Sequence, residues 1–361
     1  MLTKDGCRAR QQRLVKILEQ KNLDGAVITS RKHVYYFTGY LSHWNHAPAA
    51  YLSRAGKATL IGWLGDVGDF AADEVVKYPA HRFNTMPPDQ ARHAASSLEK
   101  VLPSGKKLGV DLEGPAAFGR LAGADAVDIT TEILDLRQRK DADEIECLKK
   151  SIQLTELMYR YTKETITPGL NEMDLFTQLR TVATLAAGKD LEFFGNDFRA
   201  GEGGGAPRRR QMKEGELYVL DAGPCLDGYH ADNCRTFAVN HKPTEVQQKA
   251  CKAIIGCLAH VEALVKPGIP AVSLYRAADE YFKAAGYAGM VHHLGHGIGL
   301  QPHEAPQFNP EYNATLNVGD VFTFEPGLYA PELNAGIRLE QDYLLSEKGL
   351  ERLTHFPLEL A

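Results

Sequence analysis

The chain has 361 residues, of which 44% are hydrophobic and 24% are charged, and its formal net charge is -5. These values predict a soluble globular protein of roughly two domains, and they give no reason to expect nucleic acid or an anionic membrane surface as a partner. The sequence has no run of about 18 apolar residues, the length that spans a bilayer.

The amino terminus and the cysteines predict a cytoplasmic protein. The first residues, M-L-T-K-D-G-C-R, are too polar for a secretory signal. The six cysteines include no C-x-x-C pair, and in a chain of this length they are most simply reduced thiols. A disulfide between Cys225 and Cys234 is the less favoured alternative.

Residues 1–138 alternate between helix-like and strand-like patterns, which predicts an α/β domain. An amphipathic helix is predicted over residues 8–21, with strands at 24–30 and 34–40 and a hairpin over 49–63. Shorter elements follow, with strands predicted at 107–111 and 126–130 and helices near 88–102 and 114–121. No nucleotide-binding glycine fingerprint is present, so this half is interpreted as a scaffold.

A charged segment around Lys140 marks the predicted start of a second domain over residues 139–361. Its first helix continues through Met158. Further helices are predicted from Asn171 to about Ala187, from Thr244 to about Val265, and over residues 271–285.

Residues 217–239 predict a strand, a turn and a return strand, with Asp221 ending the first strand and Asp232 on the second. Such a hairpin brings the two carboxylates close together. Buried carboxylates repel each other unless a proton or a cation lies between them. The alternative is that Asp221 caps a turn and Asp232 forms a salt bridge with Arg235.

Three further candidate ligands follow. The segment 292–306 holds four histidines separated by glycines that would leave the imidazoles exposed on a loop, and His296 lies at its centre. Glu325 ends an aromatic strand, and Glu340 lies in a β-like alternation over residues 337–340. Four carboxylates and one neutral imidazole carry four negative charges, which two divalent cations balance. Oxygen ligands with one imidazole suit Mn, Co, Fe or Zn.

The ordered set of motifs resembles one family closely. Asp221-x10-Asp232, G-H-G-I-G at His296, F-E-P-G-L-Y at Glu325 and R-L-E at Glu340 resemble the aminopeptidase P and prolidase (Xaa-Pro dipeptidase) branch of the pita-bread metallopeptidases, family M24. The resemblance covers the whole chain. It implies a creatinase-like α/β N-terminal domain and an α+β pita-bread catalytic domain with a curved antiparallel sheet.

The resemblance also implies the cofactor, the substrate and the assembly. Two divalent metal ions are expected, manganese first and cobalt, zinc or iron as alternatives. The substrate would be a short proline-containing peptide, and the protein would be a homodimer. In the family, the loop at 42–46 can border the neighbouring subunit's active site; the alternative is a surface loop with one buried tryptophan, Trp44.

By the same resemblance, Asp221 would bind one metal, His296 with Glu325 the other, and Asp232 with Glu340 would bridge them. A water between the metals would attack the scissile carbonyl, and Glu325 would pass its proton to the leaving nitrogen.

The resemblance assigns supporting roles to four more residues. His303 would hydrogen-bond the developing oxyanion or the substrate backbone, and His292 would line the cleft. Tyr329 and Arg338 would orient the ligands. Two other histidines match nothing in the family and are expected to be bystanders: His230 and His293.

The loop before Asp221 departs from the family, because A-P-R-R-R-Q-M-K stands where relatives carry a substrate-contacting histidine. The simplest interpretation of Arg208, Arg209 and Arg210 is a solvated basic turn. The alternative is that one of them pairs with a substrate carboxylate, which would favour dipeptides.

Three functions stay open at this point. The first is a dinuclear metallopeptidase that hydrolyses the N-terminal Xaa-Pro bond of dipeptides or short peptides. The second is a pita-bread hydrolase of a small non-peptide amide, which the altered arginine loop favours. The third, a binding module without metal chemistry, requires ligands to be missing, whereas all five are present.

Overall fold

The structure is a computed structural model that describes residues 1–43, 45–63, 68–121, 123 and 125–360. Trp44 lies outside the described residues. The chain divides into two compact units, one formed by residues 1–137 with 141–143 and the other by residues 138–140 with 144–361. Within the described part of the chain, no helix combines the length and the apolar character needed to cross a membrane.

The N-terminal unit is an α/β structure, as the sequence predicts. Its helices are α1 (Lys4–Gln20), α2 (Arg31–Thr38), α3 (Gln90–Glu99), α4 (Ala116–Gly119) and α5 (Thr130–Gln138). Its strands are β1 (Gly25–Ile28), β2 (Ala49–Ser53), β3 (Ala58–Trp63), β4 (Glu74–Tyr78), β5 (Leu108–Val110) and β6 (Val127–Asp128). The described strands form one mixed sheet in the order β4-β3-β2-β1-β5-β6. Leu98 of α3 packs with Val27 and Ile61 of this sheet in one buried cluster.

The prediction of a strand over residues 34–40 is wrong, because most of this segment forms helix α2. Val34, Tyr35, Tyr36 and Phe37 are all buried. A continuous apolar run does not distinguish a buried helix from a buried strand. Here burial on every side outweighs the β propensity of the aromatic side chains. The helix ends at a glycine in the left-handed conformation, the usual C-cap.

A buried ion pair holds helix α1 against the segment 141–143 of the same unit. Arg10 is fully buried, and its guanidinium donates to Asp143 Oδ1 at 2.9 Å and Oδ2 at 3.1 Å. Burial alone would raise the pKa of Asp143, but the hydrogen bonds and charge of Arg10 lower it below its ordinary value. The ionised carboxylate therefore stabilises the folded unit.

We expect Asp143→Asn to lower the free energy of unfolding by about 1–3 kcal/mol at pH 7, because Arg10 loses a charged acceptor while it stays buried. The folded-state pKa of Asp143 lies below 3.8. Its stabilisation is therefore complete above that pH and is lost as the pH falls through the folded-state pKa. Urea denaturation at pH 7, 5 and 3 measures the difference, with the exposed Glu99→Gln as control. Equal stability of wild type and variant at pH 7 would contradict the expectation.

The C-terminal unit is α+β. Its helices are α6 (Ala142–Thr165), α7 (Glu172–Ala187), α8 (Glu245–Glu262) and α9 (Ala271–Ala284). Its strands are β7 (Gly195–Ala200), β8 (Leu217–Ala222), β9 (Cys225–Leu226), β10 (Tyr229–His230), β11 (Asn233–Ala238), β12 (Gly295–Gly297), β13 (Glu304–Phe308), β14 (Val321–Phe324), β15 (Gly327–Ala330), β16 (Ala335–Arg338), β17 (Gln341–Ser346) and β18 (Gly349–Arg352). The ladders between these strands are antiparallel.

Two sheets of this unit are packed against helices. The sheet in the order β11-β8-β7 shares a buried cluster with α6 and α7, which includes Met158 and Leu220. The sheet in the order β13-β12-β14-β17-β18 packs with α8 and α9 in another cluster, which includes Ile254 and Phe322. The predicted helix caps are present: Asn171 accepts a hydrogen bond at the start of α7, and Thr244 forms a capping box at the start of α8.

Candidate metal centre

The two acids of the predicted hairpin, Asp221 and Asp232, are both buried. Asp221 lies on β8 opposite Cys234 of β11, and Asp232 lies one residue before β11 begins. The chain between them is not a plain turn, since it forms a small ladder of its own through β9 and β10. An oxygen of Asp221 and an oxygen of Asp232 nevertheless lie within 4.8 Å of each other.

Arg235, which the alternative interpretation pairs with Asp232, donates its hydrogen bonds to other residues. Its guanidinium donates to the main-chain oxygen of Glu340 at 2.5 Å and to the side chain of Gln341 at 2.7 Å. Its Nε donates to the main-chain oxygen of Pro357 at 3.0 Å. Arg235 therefore ties β11 to the segment that carries Glu340, and the alternative of a salt bridge to Asp232 is wrong.

His296 lies on the short strand β12 between two glycines, and 4% of it is exposed. A Cβ on Gly295 would lie 2.0 Å from the main-chain oxygen of Thr323, and one on Gly297 would lie 2.1 Å from that of Ala305. Only glycine fits at these positions, because the neighbouring strands approach so closely. The prediction of an exposed loop is therefore wrong for His296, whose imidazole is buried within the sheet.

The two glutamates lie at strand ends. Glu325 comes directly after β14, and Glu340 lies in the gap between β16 and β17. The main-chain N–H of Glu340 donates to the main-chain oxygen of Cys234 at 3.0 Å. The predicted β-strand alternation over residues 337–340 is interrupted, because β16 ends at Arg338. All four of these residues are buried.

The five predicted ligands converge in two groups. Ligand atoms of Asp221, Asp232 and Glu340 lie within 4.8 Å of one another, and so do those of His296, Glu325 and Glu340. Glu340 belongs to both groups. The cavity at this point has a volume of about 250 Å³ and is lined by Asn196, Asp197, Asp221, Asp232, His292, His293, His296, His303, Glu325, Arg338 and Glu340.

Several buried oxygens of this cluster have no hydrogen-bond partner among the described residues. They are Asp221 Oδ1, Asp232 Oδ2 and both carboxylate oxygens of Glu340. Buried polar atoms are almost always hydrogen-bonded, and a buried carboxylate without a partner is costly. Carboxylate oxygens with an imidazole nitrogen are suitable donors for divalent transition metals. The residues present therefore fit metal ions at this cluster.

The pKa values of three of these acids reflect the same crowding. Burial, together with the charges of neighbouring carboxylates, raises the pKa of Asp232 and Glu340 well above the ordinary range. Burial also raises the pKa of Asp221, against the opposing charge of Arg338. Because metal ions bind ionised carboxylates, loading this cluster would release protons.

Glu325 is the exception among the four acids. Burial alone would raise its pKa, but the hydrogen bond from His296 and the charge of His293 lower it to about 2, so Glu325 is ionised at neutral pH. His293 Nδ1 lies 3.2 Å from Glu325 Oε1 without hydrogen-bond geometry. His293 lines the cavity, whereas His230 is not part of that lining; the expectation that both are bystanders stays a prediction.

Arg338, Tyr329 and His292 form a hydrogen-bonded chain behind Asp221. Arg338 Nη2 donates to Asp221 Oδ2 at 2.6 Å, and Nη1 donates to the Tyr329 hydroxyl at 3.2 Å. The Tyr329 hydroxyl also lies 3.0 Å from His292 Nε2. Burial raises the pKa of Tyr329 to about 12, so the hydroxyl keeps its proton and bridges the arginine and the histidine.

His303 lies at the mouth of the cavity. Its ring stacks on that of His296 with 3.7 Å between centroids, and its Nε2 is 3.7 Å from Asp232 Oδ2. Half of the side chain, 51%, is exposed. Partial burial and the neighbouring His296 lower the pKa of His303 to about 4, so the imidazole is neutral at pH 7 and has one N–H to donate.

No sequence pattern singles out Asp197, which the structure nevertheless places in the cavity lining. Its carboxylate accepts a hydrogen bond from Arg338. Asp197 lies on β7, the edge strand that pairs with β8. No local motif indicated it, because its partner is 141 positions away in the chain.

The interpretation of the arginine loop as a solvated basic turn is wrong for Arg208 and Arg210, whereas a substrate contact stays a prediction. Arg208 donates to Glu172 at 2.7 Å and to the main-chain oxygen of Ala200 at 2.6 Å. Arg210 donates to the same two residues and to Glu216 at 2.7 Å. Because the Glu172 side chain is completely buried, these arginines neutralise an internal acid and do not form a solvated turn. Arg209, between them, is exposed.

Two family models match the chain. The model described as "Creatinase/Prolidase N-terminal domain" matches residues 10–139, and the one described as "Metallopeptidase family M24" matches residues 146–347. The chain belongs to metallopeptidase family M24. The predictions of a metallopeptidase, of a creatinase-like N-terminal domain and of a pita-bread catalytic domain are thereby confirmed.

Relatives of similar length support this assignment. An Xaa-Pro dipeptidase of Pyrococcus furiosus is 27% identical over 365 residues, covering 98% of this chain and 99% of that protein. The solved structure of a prolidase from Pyrococcus furiosus has a TM-score of 0.79 at 25% identity, covering 95% of this chain and 99% of that one. An Xaa-Pro dipeptidase from Bacillus anthracis shares the fold, with a TM-score of 0.81 at 21% identity over 98% of this chain and 99% of that one.

Manganese added to chelator-treated protein is expected to raise the melting temperature, because ions that bind only the folded state stabilise it by about 2.7 kcal/mol at 100 times their Kd. Glu340→Gln removes the acid common to both ligand groups and should shrink this rise. Thermal denaturation with and without MnCl₂ measures it, and the exposed Glu311→Gln serves as control. An unchanged rise in Glu340→Gln would speak against metal binding at this cluster.

Arg208→Ala is expected to cost about 1–3 kcal/mol of stability, because the buried carboxylate of Glu172 loses one of its two charged partners. Arg209→Ala, the exposed neighbour, should change stability by less than about 0.5 kcal/mol. Urea denaturation of the two variants measures the difference. If both variants lost the same amount, the internal ion-pair assignment would be wrong.

Proposed function

We propose that this protein hydrolyses the N-terminal Xaa-Pro bond of dipeptides or short peptides with two divalent metal ions. The observation that carries the proposal is the convergence of four acids and one imidazole in two groups that share Glu340. The Xaa-Pro dipeptidase of Pyrococcus furiosus, similar over nearly its whole length, supports the substrate class.

Asp221, Asp232, His296, Glu325 and Glu340 would hold the ions. Divalent cations there would polarise the scissile carbonyl and lower the pKa of an attacking water. Manganese is the first choice, since oxygen ligands dominate the set. The two ligand groups, with Glu340 common to both, support two ions rather than one.

The chain's own residues supply the proton transfers. Glu325 is ionised at neutral pH, and in this proposal it accepts a proton from the attacking water and passes it to the leaving proline nitrogen. His303 donates its N–H to the developing oxyanion from the mouth of the cavity. The chain of His292, Tyr329 and Arg338 keeps Asp221 oriented.

The alternative substrate, a small non-peptide amide, loses its main support. It rested on the altered arginine loop, and Arg208 and Arg210 are bound to internal acids. A homodimer and a cytoplasmic location are proposals that rest on the family resemblance and on the cysteine content. The domain boundary between residues 138 and 139 is likewise a proposal, supported by the family models that end at 139 and begin at 146.

Chelator-treated protein should hydrolyse Ala-Pro only after MnCl₂ or CoCl₂ is restored, and it should leave Ala-Ala intact. Glu325→Gln should lower kcat by about 100- to 10,000-fold, because the water loses its proton acceptor. Amino-acid release measured by chromatography reports the rates, with the exposed Glu311→Gln as matched control. Metal-loaded protein that cleaves a simple amide but no Xaa-Pro peptide would overturn the proposal in favour of the alternative.

A further inference from the structure

Asp197 occupies an irregular position next to the candidate metal centre. The pairing of β7 with β8 shifts register between Gly195 and Asp197, and this irregularity sets Asp197 opposite Asp221. Irregularities of this kind are common beside active sites, where they redirect a side chain. The Asp197 side chain is 16% exposed and lines the same cavity as the predicted ligands.

One guanidinium nitrogen joins Asp197 to a candidate ligand. Arg338 Nη2 donates to Asp197 Oδ2 and, at 2.6 Å, to Asp221 Oδ2. The other oxygen of Asp197 accepts the main-chain N–H of Gly205 at 2.5 Å. Asp221 keeps its Oδ1 without a partner among the described residues, so that oxygen is available to a cation.

With two divalent cations bound, the positive charge of Arg338 requires an acid in addition to the four ligand carboxylates. The four ligand carboxylates carry four negative charges, which two divalent cations neutralise. Arg338, whose side chain is only 9% exposed, then adds an uncompensated positive charge beside two cations. A buried charge without a counter-charge is strongly unfavourable. Asp197 is in direct contact with that guanidinium and restores neutrality.

We propose that Asp197 is a positioning residue that supplies the counter-charge for Arg338 and so allows this arginine to stay beside a cluster loaded with two divalent ions. The inference rests on the proposed function, because it assumes the metal centre. It assigns a role to a residue that no sequence motif indicated.

The glycine-rich loop over residues 201–205 is shaped to hold Asp197. A Cβ on Gly204 would lie 2.6 Å from Asp197 Oδ2, and the φ of Gly204 is +150°. Gly205 donates its main-chain N–H to Asp197. Three residues after the loop, Arg208 binds the buried Glu172 and so anchors the following segment. The glycine-rich loop thus encloses the carboxylate that balances Arg338.

The test is the titration of MnCl₂ into chelator-treated protein by calorimetry, which measures affinity and stoichiometry without any substrate. Asp197→Asn should weaken Mn²⁺ binding by about 10- to 100-fold, the usual effect of losing a residue that supports metal ligands. Arg338→Gln alone removes the opposing positive charge together with the hydrogen bond to Asp221, so its affinity is the reference for the double variant. The double variant should bind at least about tenfold more tightly than Asp197→Asn, since both charges leave together.

A matched control is Asp174→Asn, which removes the same charge from an exposed position on α7 and should bind like the wild type. If Asp197 only held the loop, the two substitutions would add and the double variant would bind no more tightly than Asp197→Asn; that result would overturn the proposal. So would wild-type affinity in Asp197→Asn. A wild-type protein that takes up no Mn²⁺ would instead refute the metal centre of the proposed function.

Discussion

Four carboxyl groups buried side by side repel one another, and the rest of the C-terminal unit has to accommodate that repulsion. Asp221, Asp232 and Glu340 leave oxygens without hydrogen-bond partners among the described residues. Protonation relieves the repulsion by removing the negative charge of an acid. Bound cations relieve it while the acids stay ionised. A cluster of this kind is stable in its ionised form only when positive charge is held within it, and bound metal ions would supply that charge.

The antiparallel sheets bring these groups together from distant parts of the chain. Each predicted ligand lies in a strand or within one residue of its end, where its main chain is fixed by neighbours. The glycines around His296 allow a close approach of neighbouring main chain, because a Cβ at Gly295 or Gly297 would clash with the main-chain oxygen of Thr323 or Ala305. Arg235 then ties β11 to the main chain at Glu340. The main chain therefore holds the candidate ligands in place, and Asp221, Asp232 and Glu340 keep carboxylate oxygens without a hydrogen-bond partner among the described residues.

The sequence predicted the five candidate ligands because each lies in a short local motif. It predicted the α/β class of the N-terminal unit from the alternation of patterns, whereas the family resemblance implied the α+β class of the C-terminal unit. It failed where a residue's role depends on a distant partner. Asp197 is explained only by Arg338, 141 positions away, and Arg208 only by Glu172, 36 positions away. Helix α2 was predicted as a strand because its apolar residues have no clear period.

The most direct test of the account is the anomalous diffraction of a crystal grown or soaked with MnCl₂. We expect two anomalous peaks in the cavity, one beside Asp221, Asp232 and Glu340 and the other beside His296, Glu325 and Glu340. A well-measured map without a peak at these side chains, or with Mn²⁺ bound only elsewhere, would contradict it.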